Sequence, residues 1–108
     1  MAQTYKVSGV SISSATTFTN IYSCPASTTA MVNSIYLGNT GTGDDGAKLR
    51  VTDNSVSKNY EILTNVLVPT QATIQPLSAP LVLEEYDSVS GYATSGLLDA
   101  VVNVLEIT

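Results

Sequence analysis

Apolar and polar positions along this chain alternate in twos rather than recurring every three or four residues. Over 59–66, Tyr60, Ile62 and Thr64 fall on one side of an extended strand, with Glu61 and Leu63 on the other. Over 87–94, Val89, Gly91 and Ala93 share one face, and Ser88, Ser90, Tyr92 and Thr94 share the other. The last stretch is apolar on both sides, with Val102 and Val104 on one face and Leu105 and Ile107 on the other. A strand of that kind is central in an assembly or packs one face against another subunit. A helical face of Leu97, Leu98, Val101 and Val102 is the alternative for 95–104. The Ser95-Gly96 break and three β-branched valines favour a turn followed by a strand.

The pattern predicts strands over 4–12, 16–23, 29–37, 47–52, 59–66, 72–76, 81–84, 87–94 and 100–107. Turn residues separate them: Ser13-Ser14-Ala15, Cys24-Pro25-Ala26-Ser27, Asp53-Asn54-Ser55, Val68-Pro69-Thr70 and the Pro76–Pro80 stretch. Residues 38–46 hold four glycines and read as a hairpin loop. Short strands divided by polar turns predict an all-β fold, an antiparallel β-sandwich or jelly-roll-like domain of eight to nine strands spanning residues 1–108.

Charge changes this picture toward a subunit among neighbours. Charged residues make up 12% of the chain, about half the usual ~25%. A hydroxyl-rich surface is buried against a partner at lower desolvation cost than a charged one. Net charge is −5, with Lys6, Lys48, Arg50 and Lys58 set against nine acids. Four dispersed cations do not supply the basic patch that nucleic-acid binding needs. Lys48 and Arg50 share one strand face, read as a solvated basic strip or a contact for an acidic partner. The single cysteine, Cys24, makes no internal disulfide. There is no signal segment and no apolar run of the ~18 residues that a spanning helix requires, so a cytoplasmic origin is expected.

Candidate chemistry is sparse. Histidine is absent, which removes Ser–His and Cys–His pairs and histidine metal sites. No nucleotide-binding motif appears. Asp44-Asp45 and Glu84-Glu85-Asp87 offer oxygen ligands for calcium, but they lack EF-hand spacing and read as solvated turns. The expectation is a non-enzymatic protein with no catalytic residue, cofactor or metal. Six tyrosines raise a carbohydrate-binding module as an alternative.

Two segments carry a family resemblance. Residues 28–40, TTAMVNSIYLGNT, and residues 80–89, PLVLEEYDSV, resemble segments of small virion structural proteins of tailed bacteriophages, and VNVLEI near the end resembles their final strand. The resemblance implies a β-sandwich virion protein that works by assembly. Its most direct form is a capsid decoration (cement) protein bridging subunits of the major capsid protein as a dimer or trimer, assembled in the host bacterial cytoplasm. A neck, tail or fibre-base component is the rival placement. The family usually has glycine where this chain has Tyr86, a residue that does not easily take a positive φ, so a different turn is expected there, with Tyr86 exposed as a contact. Residues 2–7 are expected to extend as an arm. Tyr5, Lys6 and Tyr86 are thus the candidate interface residues.

Overall fold

A computed structural model describes residues 2–108. Its nine strands are β1 (Gln3–Ile12), β2 (Phe18–Ser23), β3 (Thr29–Asn39), β4 (Asp45–Asp53), β5 (Lys58–Val68), β6 (Thr73–Ile74), β7 (Leu81–Leu83), β8 (Ser88–Ala93) and β9 (Leu98–Ile107). They form two antiparallel sheets packed as a sandwich. The first runs β1-β9-β3-β6, with β7 also paired to β3, and the second runs β2-β8-β4-β5. Each predicted strand is present, with its ends moved by a few residues, and 98–107 is strand rather than helix.

The core lies between the sheets. On β9 the inward series Leu98, Ala100, Val102 and Val104 is at most 1% exposed. It packs with Ile35 and Leu37 of β3 and with Leu49 and Val89 of the second sheet. Each buried valine, leucine or isoleucine among them contributes roughly 1.5–3 kcal/mol on burial. The sheets meet most tightly at Gly91, where a Cβ would lie 2.6 Å from Ile12 Cδ1 and 2.9 Å from Ile21 Cδ1.

Three expectations are corrected. The glycine-rich segment is not a hairpin loop, because β3 and β4 lie in different sheets and the segment crosses between them. Asn39 and Asp45 at the two ends of the crossing are both buried, so the chain passes over the end of the core between them. The alternation in β5 is broken by register shifts around Leu63. Tyr60 pairs with Val51 and Leu63 with Leu49, so Tyr60 and Leu63 fall on the same side of the sheet, with Leu63 packed against the core and Tyr60 still exposed at the edge. Residues 2–7 do not form a free arm, since β1 pairs with β9 from Gln3↔Ile107 onward.

Candidate assembly surfaces

The buried polar side chains hold the ends of the sandwich together. Asp45 is 1% exposed, and its carboxylate accepts from the Ser95 amide at 2.7 Å and the Leu97 amide at 2.8 Å. At the other end, the Asp87 carboxylate accepts from the Asn54 amide at 2.9 Å and the Glu84 amide at 3.0 Å. Both were expected in solvated turns. Instead they are buried, because they satisfy loop amides that water cannot reach. Asp53, Glu84 and Asp87 place carboxylate oxygens within 4.8 Å of one another. The oxygens of Asp87 are taken up by amides, and Asp53 Oδ1 accepts from the Ser55 amide and hydroxyl. The group is therefore a turn clasp with an acidic rim.

A second network joins the two sheets. Glu106 continues the inward series of β9 and is 7% exposed. Lys6 Nζ of β1 lies 2.9 Å from Glu106 Oε1, and the Tyr22 hydroxyl of β2 donates to Oε2. The hydrogen bonds from Tyr22 and Lys6 hold the Glu106 carboxyl below its ordinary range despite its burial. Burial pushes the Tyr22 hydroxyl up, and the neighbouring carboxylate adds to the shift. Beside it Cys24 is 1% exposed, and its thiol donates to the Thr28 carbonyl at 3.2 Å. Burial and then the Glu106 charge raise the thiol's pKa.

The outward faces of the sheets differ. On the first sheet, cross-strand pairing sets Tyr5, Leu105, Met31 and Val82 in one row across four strands. Tyr5 is 78% exposed, and Val7, Val82, Tyr36 and Val101 are exposed on the same face. Asp99 is the one charged side chain among the described strand residues there, and Ser11 donates to it at 2.7 Å. On the second sheet, Lys48 and Arg50 point outward among rings. Arg50 stacks on Phe18 with its guanidinium carbon 3.8 Å from the ring centroid, and Lys48 Nζ lies 4.7 Å from the centroid of Tyr92. The two rings are themselves 5.2 Å apart.

The sheet edges are also unequal. Beyond β3 the first sheet ends in β6 and β7, of two and three residues. In contrast β1 and β5, of ten and eleven residues, each pair on one side only. β1 lies over β2, where the Ser8 hydroxyl donates to the Ile21 carbonyl. β5 closes the opposite side of the other sheet, with Tyr60, Ile62, Val66 and Leu67 exposed.

Of the three residues expected at an interface, Tyr5 sits in the outward apolar row and Tyr86 is 56% exposed at a loop tip. Lys6 lies on the inward side of β1, its side chain 52% exposed and ion-paired with Glu106. The turn at Tyr86 is corrected. Tyr86 takes the left-handed conformation, φ 67°, that glycine would favour. Its amide donates to the Cys24 carbonyl at 2.9 Å, and the Asp87 amide donates to the Glu84 carbonyl at 3.1 Å, so the bonding around it fixes the strained φ. Sequence reasoning missed the pairing of Tyr22 with Glu106 and placed Asp45 in a solvated turn rather than in the buried clasp. The inward series Val102, Val104, Glu106 carried the signal for Glu106.

No protein-family model and no curated protein matches the chain. A solved structure of Bacillus endospore appendages, described as a novel family of disulfide-linked pili, shares the fold. Its TM-score is 0.55 at 18% identity, covering 97% of this chain and 84% of that one. At that identity the likeness establishes the β-sandwich alone. It corrects the phage capsid expectation, because the neighbour is a bacterial endospore pilus and not a phage capsid protein. No helix among the described residues is long and apolar enough to cross a membrane.

Proposed function

We propose that this protein is a non-enzymatic structural subunit that assembles with copies of itself into a pilus-like filament. The observation that carries the reading is the pair of long open edges, β1 and β5, on opposite sides of the sandwich and in different sheets. An open edge offers unpaired amides and carbonyls to another strand. Two different edges that pair with each other make a head-to-tail contact, which extends into a filament unless its rotation closes a ring. The apolar row on the first sheet adds area that such packing can cover. Resemblance to a pilus protein supports the same reading.

The neighbour's pili are disulfide-linked. Here the one thiol is inside the sandwich, so contacts made by these residues are non-covalent, and the assembly resists reducing agents. Negative-stain electron microscopy and light scattering of the purified protein, with and without reductant, test the reading. Filaments are expected in both conditions. Ile62→Lys places a charge at the middle of the exposed β5 edge, at the residue skipped between Leu63 and Glu61, and is expected to reduce assembled mass at least about tenfold, since edge charges oppose strand addition. A wild-type protein that remains monomeric at high concentration would overturn the proposal.

A further inference from the structure

We infer that the outward face of the second sheet is a docking plate for the Glu84-Glu85-Tyr86 tip of another copy of this chain. This contact rests on the self-assembly reading but is separate from the edge pairing.

The cations of the chain are unevenly placed. Of the four basic residues, Lys6 is neutralised by Glu106. Lys48 and Arg50 lie on the outward face of β4, while Lys58, opposite Asp53 at the start of β5, sits over the Tyr60 ring apart from them. No other ion pair forms among the described residues. Arg50 has a ready partner, because Glu61 sits directly opposite it on β5. Its guanidinium instead lies on the Phe18 ring, and its Nε is buried without a hydrogen-bond partner. The Phe18 ring thus holds the guanidinium on the outer face with its charge uncompensated by any carboxylate. Lys48 is held the same way over Tyr92. A chain with a net charge of −5 therefore presents one fixed, uncompensated cationic plate.

The complementary surface is on the same chain. Glu84, Glu85 and Tyr86 project together at the loop between β7 and β8, all exposed. The conformation of the tip is fixed by the Asp87 clasp and by the Ser27 amide, which donates to Glu85 Oε2 at 2.8 Å. The Glu84 carboxylate lies close to those of Asp53 and Asp87, a like-charge crowding that a docked cation relieves. Two carboxylates beside an aromatic ring match two cations beside aromatic rings, and guanidinium and carboxylate pair bidentately. Plate and tip are different surfaces, so the contact is heterologous and repeats from copy to copy.

Charge reversal tests the contact with the full chain, each variant first checked for cooperative melting by circular dichroism. Self-association is measured by sedimentation at about 0.01 M and about 1 M salt, between which the screening length falls from ~30 to ~3 Å. Wild type is expected to associate at least about tenfold more weakly at the higher salt. Lys48→Glu/Arg50→Glu and Glu84→Lys/Glu85→Lys are each expected to lose about tenfold or more at low salt, as close interfacial charge pairs do. Mixing these two variants restores association, because each then presents the plate that suits the other's tip. Should both variants associate like wild type, or should the mixture fail to recover, the docking contact is overturned while filament formation through the edges stands. Should wild type itself never associate, both are overturned.

Discussion

The two sheets dispose of their cations in opposite ways. In the first sheet, Lys6 turns toward the inner side and is neutralised by Glu106, leaving an outward face that is apolar and nearly free of charge. In the second, Lys48 and Arg50 stay outside, held on rings instead of carboxylates. The lesson is about where a charge contributes to folding. A charge inside the sandwich must be matched in place, because an unpaired buried charge is costly. A charge on the outer face is nearly neutral for folding and remains available for association.

Removing the internal match should have the largest effect. Glu106→Ala leaves the buried Tyr22 hydroxyl without its partner, while the half-exposed Lys6 is rehydrated, and should destabilise the fold by about 2–3 kcal/mol, read by urea denaturation. The inner meeting of the sheets comes next. Gly91→Ala forces a methyl against Ile12 and Ile21 and should cost about 1–3 kcal/mol through overpacking, read as a lower denaturation midpoint with an unchanged slope.

Acid probes the same network more gently. The Glu106 carboxyl is held below its ordinary range in the folded state, so folding favours the ionised form. Its contribution is fully present above the unfolded carboxyl's value of about 4.3 and is lost as pH falls through the lower folded value. Stability should therefore decline below about pH 4.3, and Glu106→Gln should flatten that decline. A variant with an unaltered acid slope would remove Glu106 from the account. The smallest effect belongs to the outer face: Arg50→Ala should change stability by under about 1 kcal/mol. A loss equal to that of Glu106→Ala would erase the distinction between the two sheets.

Much of the fold was legible because strand periodicity is local. Leu98 to Glu106 reads inward at every second residue, and the structure keeps that phase along the whole of β9. Where the phase fails, the cause is not local. β5 breaks its alternation near Leu63 because two register shifts against β4 re-aim its side chains. The surfaces proposed for assembly were legible only in pieces. The two apolar faces of the last strand raised a covered outer surface, and Tyr86 was read as exposed at its turn, as it is. The pairing of Lys6 with Glu106 was not legible, since nothing nearby in sequence shows that Glu106, a hundred residues on, sits across from it.

The sequence by itself determined the all-β class, the nine strands, the turns between them and the scarcity of catalytic groups, because each depends on residues within a few positions of one another. Tertiary structure decided the rest. It set which strands share a sheet, carried 40–44 across from one sheet to the other, and buried Asp45 and Asp87 as clasps while leaving Glu84 and Glu85 at a tip. It also left β1 and β5 open and placed Lys48 and Arg50 on rings rather than on Glu61. These outcomes depend on pairings between residues far apart in the chain, and burial and charge acquire their energies only when those pairings bring the groups together.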